Sequence, residues 1–330
     1  MTLTGTPGPL ALISGTDTKA AILSVKGLTA YYGDLKAVRD ISFDLFQGRT
    51  LAVVGESGSG KTTLALAIVG AHSGRVTGEI FYKGQPLKSK RKFRGSKVTM
   101  VFQDPSSALN PVYTIGWQLL EAINLHFDLD EEEAYNLAIA SLKEVQLPNP
   151  ELILDKYPHE LSGGQKQRAM IAMAIVVRPD ILIADEPTTA LDVTIQMDII
   201  ELIRKLQKEL GMALLLITHD MGVMAELADD VIVLYAGSAV ETGLREDVLE
   251  KPLHPYTQAL IQASFLKTDA QGRLAAIKGN VPSLNDLPPG CPFHPRCPYA
   301  WDRCRHQPVP DYLVQNRKVK CFLYDPKINK

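Results

Sequence analysis

Short apolar runs broken by polar turns recur along this chain, a pattern typical of strands buried in a sheet. Such runs occur at residues 22–25, 41–45, 51–54, 78–82, 98–102, 181–185 and 214–219. From about residue 112 to 177 the apolar positions instead recur every three or four residues, as on one face of a helix. Asp130 and Glu133 form an N-cap pair before one such face. The pattern predicts strands alternating with helices, as in an α/β fold, with a helical subdomain inserted between the strands.

Composition narrows the class of protein. The chain has 330 residues, of which 45% are hydrophobic and 22% charged, and its formal net charge is -2. It is therefore long enough to bury a large core, and it offers no electrostatic basis for wrapping nucleic acid. The apolar runs are too short to span a bilayer, and residues 1–20 lack the charged start and apolar centre of a secretory signal. We expect residues 1–20 to be a flexible tail and the chain to stay in the cytoplasm unless a membrane partner holds it.

Residues 55–62 fit the phosphate-loop pattern G-x-x-x-x-G-K-S/T at every fixed position, between a predicted strand and a predicted helix. Glycines let the backbone curl so that its N–H groups, together with the helix N-terminus, cradle phosphate oxygens. We expect Lys61 to reach the β- and γ-phosphates and the Thr62 hydroxyl to bind Mg²⁺. The candidate nucleotide contacts in this segment are Gly55, Glu56, Ser57, Gly58, Ser59, Gly60, Lys61, Thr62 and Thr63.

A second helix start with exposed N–H groups is predicted at residues 162–165. Ser162 is a good N-cap, and Gly163 and Gly164 leave the first N–H groups bare before Gln165. Elsewhere, Gln103 follows the strand at 98–102, where an amide either satisfies the backbone or contacts Mg²⁺ or the attacking water.

The five residues at 161–165, Leu-Ser-Gly-Gly-Gln, are the signature of the ATP-binding cassette (ABC) family, which the chain resembles from about residue 22 to 240. The resemblance implies an α/β phosphate-loop fold with a mostly parallel core sheet, an antiparallel β subdomain near the start and a helical subdomain inserted at about 104–177. The resemblance implies that Asp185, at the end of an apolar strand, holds Mg²⁺ and that Glu186 polarises the attacking water. His219 resembles the switch histidine that contacts the γ-phosphate. The other positions that match family motifs are Gln103 in the Q-loop, with a role at Mg²⁺ or water, Asp192 in the D-loop at 190–192, and Tyr32, preferred to Tyr31, as the aromatic that stacks on the base.

The resemblance also implies how the ATP site is completed. In the family the signature helix lies across a subunit interface and faces the phosphate loop of a second cassette. Only one loop and one signature occur in this sequence. A second ABC ATPase subunit is therefore expected, and the isolated chain is expected to hydrolyse ATP weakly.

The last part of the chain carries a second resemblance. Residues 254–257 read His-Pro-Tyr-Thr, and residues 279–282 and 287–298 continue a pattern similar to the C-terminal extension of oligopeptide and dipeptide importer ATPases. That family implies import of peptides, with nickel or oligosaccharides as alternatives, through two membrane permease subunits. An external binding protein delivers the substrate to the permease. We expect a peripheral protein on the cytoplasmic face of the membrane, often one half of a heterodimer. The predicted domains are the ATPase at 21–245 and the extension at 246–330.

All four cysteines lie in this extension, with the spacing C-x5-C-x6-C-x16-C. Four grouped thiolates suit an iron–sulfur cluster or tetrahedral zinc, and the spacing alone does not choose between them or exclude free or disulfide-bonded thiols. Resemblance to the peptide-importer ATPases favours a four-iron, four-sulfur (4Fe–4S) cluster over Zn²⁺. The ligands would be Cys291, Cys297, Cys304 and Cys321.

Three other classes of ATPase fit the sequence less well than a transporter subunit does. Cassettes of DNA repair and chromosome organisation carry long coiled coils between the loop and the signature, whereas about a hundred residues intervene here. Translation-factor cassettes usually come two to a chain. An unrelated phosphate-loop kinase would leave the signature helix and His219 without a role. The transported molecule itself is not encoded in this chain.

Overall fold

The computed structural model describes residues 20–189, 191–265 and 277–328. Twelve strands are present in these ranges and form two sheets. The strands are β1 (Ala21–Tyr32), β2 (Leu35–Phe46), β3 (Thr50–Val54), β4 (Val76–Tyr82), β5 (Gln85–Pro86), β6 (Val98–Val101), β7 (Ile181–Asp185), β8 (Ala213–Thr218), β9 (Asp230–Tyr235), β10 (Ser238–Leu244), β11 (Tyr312–Val314) and β12 (Arg317–Val319).

The larger sheet has eight strands in the order β11-β12-β10-β9-β3-β8-β7-β6. Its five strands from β9 to β6 are parallel, and β10, β12 and β11 continue it with antiparallel pairs. Strands β3, β7 and β8 are buried along their whole length, which explains why their sequences read as continuous apolar runs. Because parallel strands end at the same edge, the segments after β3, β6, β7 and β8 meet there.

The smaller sheet, in the order β2-β1-β4-β5, is antiparallel. The helices of the described ranges are α1 (Lys61–Val69), α2 (Lys90–Phe93), α3 (Pro105–Ala108), α4 (Ile115–Asn124), α5 (Glu131–Glu144), α6 (Pro150–Leu154), α7 (Gly163–Ile175), α8 (Val193–Leu210), α9 (Met221–Leu227), α10 (Arg245–Glu250), α11 (Pro255–Ser264) and α12 (Asp302–His306). Helix α1 is apolar on all sides because it packs against strands of both sheets.

Five helices, α3 to α7, occupy the segment between β6 and β7, where the sequence pattern predicts a helical insertion. Asp130 and Glu133 form the predicted capping box of α5, in which the Asp130 carboxylate accepts the Glu133 N–H at 2.8 Å. The apolar side of α5 packs with α4, α6 and α7 around Ala138 and Leu142. Within the described ranges, no helix is both long and apolar enough to cross a lipid bilayer.

The C-terminal extension joins the ATPase through the larger sheet. Strand β12 pairs with β10, where Glu241 lies opposite Val319. The Arg317 side chain is 2% exposed and the Glu241 side chain 0% exposed, and their charged atoms are 3.5 Å apart. Glu241 also accepts the backbone N–H groups of Leu253 and His254. Glu241 therefore fixes both the start of the extension and the Arg317 strand β12 to β10 of the larger sheet.

Candidate nucleotide site

The phosphate loop lies between β3 and α1, where its glycines adopt conformations that other residues rarely take. Gly60 has φ 102° and is the N-cap of α1. Gly55 has φ 155°, and a Cβ atom there would lie 2.2 Å from the Leu234 carbonyl oxygen. A side chain at either position would displace the loop or its neighbour. The loop is thus shaped by close backbone packing against the sheet.

Lys61 crosses back under the loop and is 5% exposed. Its Nζ donates to the carbonyl oxygens of Gly55 at 2.9 Å and Glu56 at 3.0 Å. Burial lowers the pKa of Lys61, while the nearby charges of Glu186 and Asp185 act in the opposite direction. The ammonium group is therefore held among loop carbonyls at the place where phosphate oxygens are expected.

Two carboxylates stand at the end of β7. Asp185 is 2% exposed, and its Oδ1 accepts a hydrogen bond from the Thr62 hydroxyl at 3.2 Å. Burial raises the Asp185 pKa to about 6. Glu186 follows with φ 46°, a left-handed conformation that is strained for a glutamate, and its N–H donates to the Ile217 carbonyl at 2.8 Å. Functional residues often keep such strain because the surrounding contacts fix them.

The Glu186 carboxylate is surrounded by polar groups from several segments. Its Oε2 accepts from Gln103 Nε2 at 2.9 Å and from the Thr189 hydroxyl at 3.0 Å. Its Oε1 lies 3.1 Å from His219 Nδ1 and 3.9 Å from Lys61 Nζ. The structure therefore brings together the predicted Q-loop, acidic and histidine residues, and it adds Thr189. This threonine was not predicted, although its place three residues after Glu186 is a usable signal.

These groups surround one cavity of about 670 Å³, a volume within the usual range for small-molecule sites. The predicted residues that line it are Tyr32, Gly55, Glu56, Ser57, Gly58, Gly60, Lys61, Thr62, Thr63, Gln103, Glu186 and His219. Asp185 lies behind Thr62, and Ser59 is buried under the loop, where its carbonyl accepts the Gly237 N–H. Ala37, Leu260 and Leu284 also line the cavity and were not predicted.

Tyr32 is 44% exposed, and the edge of the His72 ring packs against it, with ring centroids 4.7 Å apart. Tyr31 instead lies under the Arg75 guanidinium, at 3.9 Å from its ring centroid. Of the two tyrosines, only Tyr32 lines the cavity. Its ring has the exposure that stacking on a base requires.

The signature residues lie outside the cavity formed by this chain. Ser162 caps α7 by accepting the Gln165 N–H at 3.3 Å, and the Gln165 side chain returns a bond to the Ser162 N–H. Gly163 and Gly164 form the first turn of that helix. Asp192 caps α8 by accepting the Ile195 N–H at 3.0 Å. The side chains of Ser162 and Asp192 are thus engaged as helix caps.

The four cysteines line a second, small and mainly apolar cavity. Burial raises the pKa of Cys291 to about 11 and that of Cys321 to about 12, and neighbouring thiolates raise both further. None of the four forms a disulfide. The metal site predicted here is not confirmed, because within the part of the chain that the structure describes no group of three or more His, Cys, Asp or Glu side chains is arranged to hold a metal ion.

In the larger sheet the phosphate loop follows β3, the histidine follows the neighbouring strand β8, and the Asp–Glu pair stands at the end of β7, which is next to β8. This arrangement defines a nucleotide-hydrolysing phosphate-loop enzyme. Two family models match the chain: "ABC transporter" over residues 38–189 and "Oligopeptide/dipeptide transporter, C-terminal region" over residues 240–304.

Curated relatives match nearly the whole chain. A dipeptide transport ATP-binding protein of Haemophilus influenzae is 47% identical over 313 residues, covering 91% of this chain and 95% of the relative. An oligopeptide transport ATP-binding protein of Escherichia coli is 43% identical over 314 residues, covering 92% and 93%. A solved cassette, MJ0796 as a dimer bound to ADP and phosphate, has a TM-score of 0.61 at 27% identity and covers 68% of this chain and 98% of its own.

The chain belongs to the ABC transporter ATPases, in the group that carries the peptide-transporter C-terminal region. The predicted family and fold class are confirmed. The chain is an ATPase whose hydrolysis is coupled to transport, and ATP and Mg²⁺ are the cofactors that family membership implies. No metal ligand set beyond Mg²⁺ follows from the family matches.

Proposed function

We propose that this chain hydrolyses ATP to power the import of dipeptides or oligopeptides through a pair of membrane permease subunits. The observation that carries the proposal is that one chain joins a complete ABC nucleotide site to the peptide-transporter extension. Relatives named for dipeptide and oligopeptide transport support the substrate class. Nickel or oligosaccharide import by the same machinery is the alternative, which the uptake experiment below distinguishes.

Within the site, we assign roles by position. Lys61 and the loop N–H groups neutralise and hold the β- and γ-phosphates, and Tyr32 stacks on the base. Thr62 and Asp185 would hold Mg²⁺, with Gln103 close by, and this ion supplies charge neutralisation on the phosphates. Glu186 accepts a proton from the attacking water. His219 bonds both Glu186 and the γ-phosphate, so it aligns the two for in-line attack.

We further propose that a second ABC ATPase subunit completes each site, most simply as a heterodimer. The exposed N-terminal turn of α7, outside this chain's own cavity, suits the phosphates of a partner's nucleotide. Asp192 and Gly163 to Gln165 would contribute at the same interface. Replacing Ser162 with Arg should abolish hydrolysis by the assembled pair while leaving nucleotide binding by the single chain intact. A single chain that hydrolyses ATP at the rate of the pair would contradict this arrangement.

For the extension we propose a 4Fe–4S cluster on Cys291, Cys297, Cys304 and Cys321. The support is that four free thiols line one apolar cavity, and that in a cluster each thiolate binds a different iron, so the sulfurs need not converge on one ion as they must for zinc. Protein purified without oxygen should contain iron and absorb visible light, and a Cys297→Ser variant should lose both. Iron-free protein containing stoichiometric zinc would favour the alternative.

The domain organisation that we propose separates the ATP site from the C-terminal extension. Residues 21–245 would form the nucleotide-binding ATPase, with a helical subdomain at about 104–177 that meets a permease. Residues 246–330 would form the extension, and 1–20 a tail, which except for Ala20 lies outside the described residues. The chain would sit on the cytoplasmic face of the membrane and receive substrate indirectly from an external binding protein.

Uptake in vesicles containing the whole transporter tests the function. Labelled dipeptides and oligopeptides should accumulate when ATP is inside, and the Lys61→Met variant should stop accumulation. A matched control is Lys205→Met, because Lys205 is exposed on α8 and far in sequence from the loop. Accumulation of nickel or oligosaccharide without peptide would support the alternative substrate, and accumulation that Lys61→Met leaves unchanged would refute the role of this chain.

A further inference from the structure

The C-terminal extension contacts the phosphate loop at Glu56. The two carboxylate oxygens of Glu56 accept from Arg296 Nη1 at 2.7 Å and Nη2 at 2.9 Å. The backbone N–H of Glu56 donates to the Tyr256 hydroxyl at 2.8 Å. Glu56 is therefore held through its backbone by a residue 200 positions further along the chain, and through its side chain by one 240 positions further along.

Arg296 is itself fixed by its surroundings and is not a mobile surface side chain. Only 5% of its side chain is exposed. Its Nε donates to the Lys278 carbonyl at 2.9 Å, and its Nη1 also donates to the Tyr235 hydroxyl at 3.3 Å. A two-pronged arginine–carboxylate pair with restricted solvent access is stronger and more directional than an exposed ion pair.

Tyr256 is equally constrained. It is 0% exposed, and its ring packs against Tyr235 and Phe293, with centroids 4.6 Å and 5.4 Å away. The hydroxyl that accepts the Glu56 N–H therefore has little freedom to follow the loop if the loop moves. Leu260 and Leu284, also in the extension, line the nucleotide cavity beside it.

The backbone of Glu56 connects these contacts to the ATP site. In the Gly55–Glu56 peptide the N–H donates to Tyr256, while the Gly55 carbonyl oxygen accepts from Lys61 Nζ at 2.9 Å and the Glu56 carbonyl oxygen accepts from it at 3.0 Å. A shift of this backbone therefore displaces the lysine that is expected to meet the phosphates. A loop rich in glycine has many conformations when unrestrained, and ordering it on binding would weaken affinity.

We propose that Arg296 and Tyr256 are positioning residues of the nucleotide site: through Glu56 they hold the phosphate loop and Lys61 in the binding-competent shape before ATP arrives. The proposal deepens the assigned function and rests on the phosphate loop being the nucleotide site. It requires no particular metal at the cysteines. The extension is thereby a structural part of the ATP site of this chain.

Nucleotide affinity of the full chain tests the proposal. Loss of a bidentate charged pair in Arg296→Met should raise the Kd for ATP about tenfold to a hundredfold. Tyr256→Phe keeps the ring and removes one hydrogen bond, so it should raise Kd about threefold to tenfold. Arg303→Met is the matched control, because its guanidinium pairs with Asp325 inside the extension at 2.6 Å, and its Kd should stay within about twofold of the unmodified chain.

Two further readouts separate positioning from general stability. In the assembled transporter, KM for ATP should rise in Arg296→Met with kcat nearly unchanged, since the lost contact acts before and during the reaction alike. Because coupling is reciprocal, ATP should slow amide exchange in residues 290–297 of the unmodified chain, and much less in Arg296→Met. Tyr256→Phe carries the test if Arg296→Met does not fold.

The proposal is overturned if Arg296→Met and Tyr256→Phe bind ATP as tightly as Arg303→Met does, whatever their melting temperatures. It is also overturned if ATP gives no protection to residues 290–297. A Lys61→Met chain that binds ATP normally would instead refute the nucleotide site itself. Loss of binding in Lys61→Met with full binding in Arg296→Met would refute only the positioning role.

Discussion

Replacing Glu186 with glutamine isolates the chemical role of its charge. The side chain accepts two hydrogen bonds on Oε2, from Gln103 and Thr189, and faces His219 and Lys61 with Oε1. A glutamine can keep its carbonyl oxygen toward Gln103 and Thr189 and turn its amide nitrogen toward His219. Both accepted bonds, worth about 0.5–1.5 kcal/mol each, are then retained. The variant should therefore fold normally and differ mainly in basicity.

The expected loss in rate follows from that difference. A positioned general base contributes about a hundredfold to ten-thousandfold. We therefore expect kcat to fall by that factor, which corresponds to about 2.7–5.4 kcal/mol of transition-state stabilisation. Affinity for ATP should stay the same or increase, because a negative charge is removed from a site that receives phosphates.

Phosphate release at saturating ATP and equilibrium binding of a fluorescent nucleotide measure the two quantities separately. Glu201→Gln is the control, since Glu201 is an exposed carboxylate on α8. A kcat within about threefold of the unmodified protein would refute Glu186 as the base, because loss of a general base should lower kcat far more than threefold. A rise in Kd as large as the fall in kcat would show that the charge serves binding instead.

Four other predictions follow from the geometry. Burial raises the Asp185 pKa to about 6 in the metal-free protein, so protons should compete with Mg²⁺ for this carboxylate. Mg²⁺ affinity measured by calorimetry should therefore fall about tenfold for each pH unit below 6. An affinity that stays level down to about pH 5 would contradict the role of this carboxylate. The same raised pKa means that protonated Asp185 favours the folded state, so its contribution to the free energy of unfolding should decrease as pH rises through about 6. Arg317→Ala leaves the buried Glu241 charge unpaired and should lower the free energy of unfolding by about 3–5 kcal/mol in denaturant titrations, whereas Arg305→Ala, at an exposed position, should change it by less than about 0.5 kcal/mol. Gly55→Ala would place a Cβ 2.2 Å from the Leu234 carbonyl, whereas the Cβ of Gly58→Ala would meet nothing within 4 Å. ATP affinity should therefore fall much more in Gly55→Ala than in Gly58→Ala. Equal losses would show that backbone conformation, and not this steric contact, decides the loss of affinity.

Much of the fold could be predicted because it depends on local patterns. Alternating or continuous apolar runs gave the strands, and the runs at 51–54 and 181–185 lie within β3 and β7. The capping residues Asp130 and Ser162 were identified because an N-cap and its partner are three residues apart, so the signal is complete within one turn. The apolar pattern does not fix where strands end: β1 extends to Tyr32, well beyond the predicted run at 22–25.

The residues that the sequence did not identify act over long distances along the chain. Thr189 is significant only because Glu186 turns back toward it, and Arg296 only because it meets Glu56, 240 residues earlier. The hairpin at Tyr312 to Val319 continues the core sheet, a pairing that no local periodicity records. Each of these depends on which segments pack together, and a single sequence does not state that.

The sequence by itself determined the chemistry of this protein: the phosphate loop, the acid pair and the signature are contiguous motifs whose residue types are required by phosphate and Mg²⁺. Only the tertiary structure decided that the signature stands apart from this chain's own cavity and that the C-terminal extension holds the phosphate loop. The physical reason is that binding motifs are local, whereas the contacts that position them are formed by packing between distant segments.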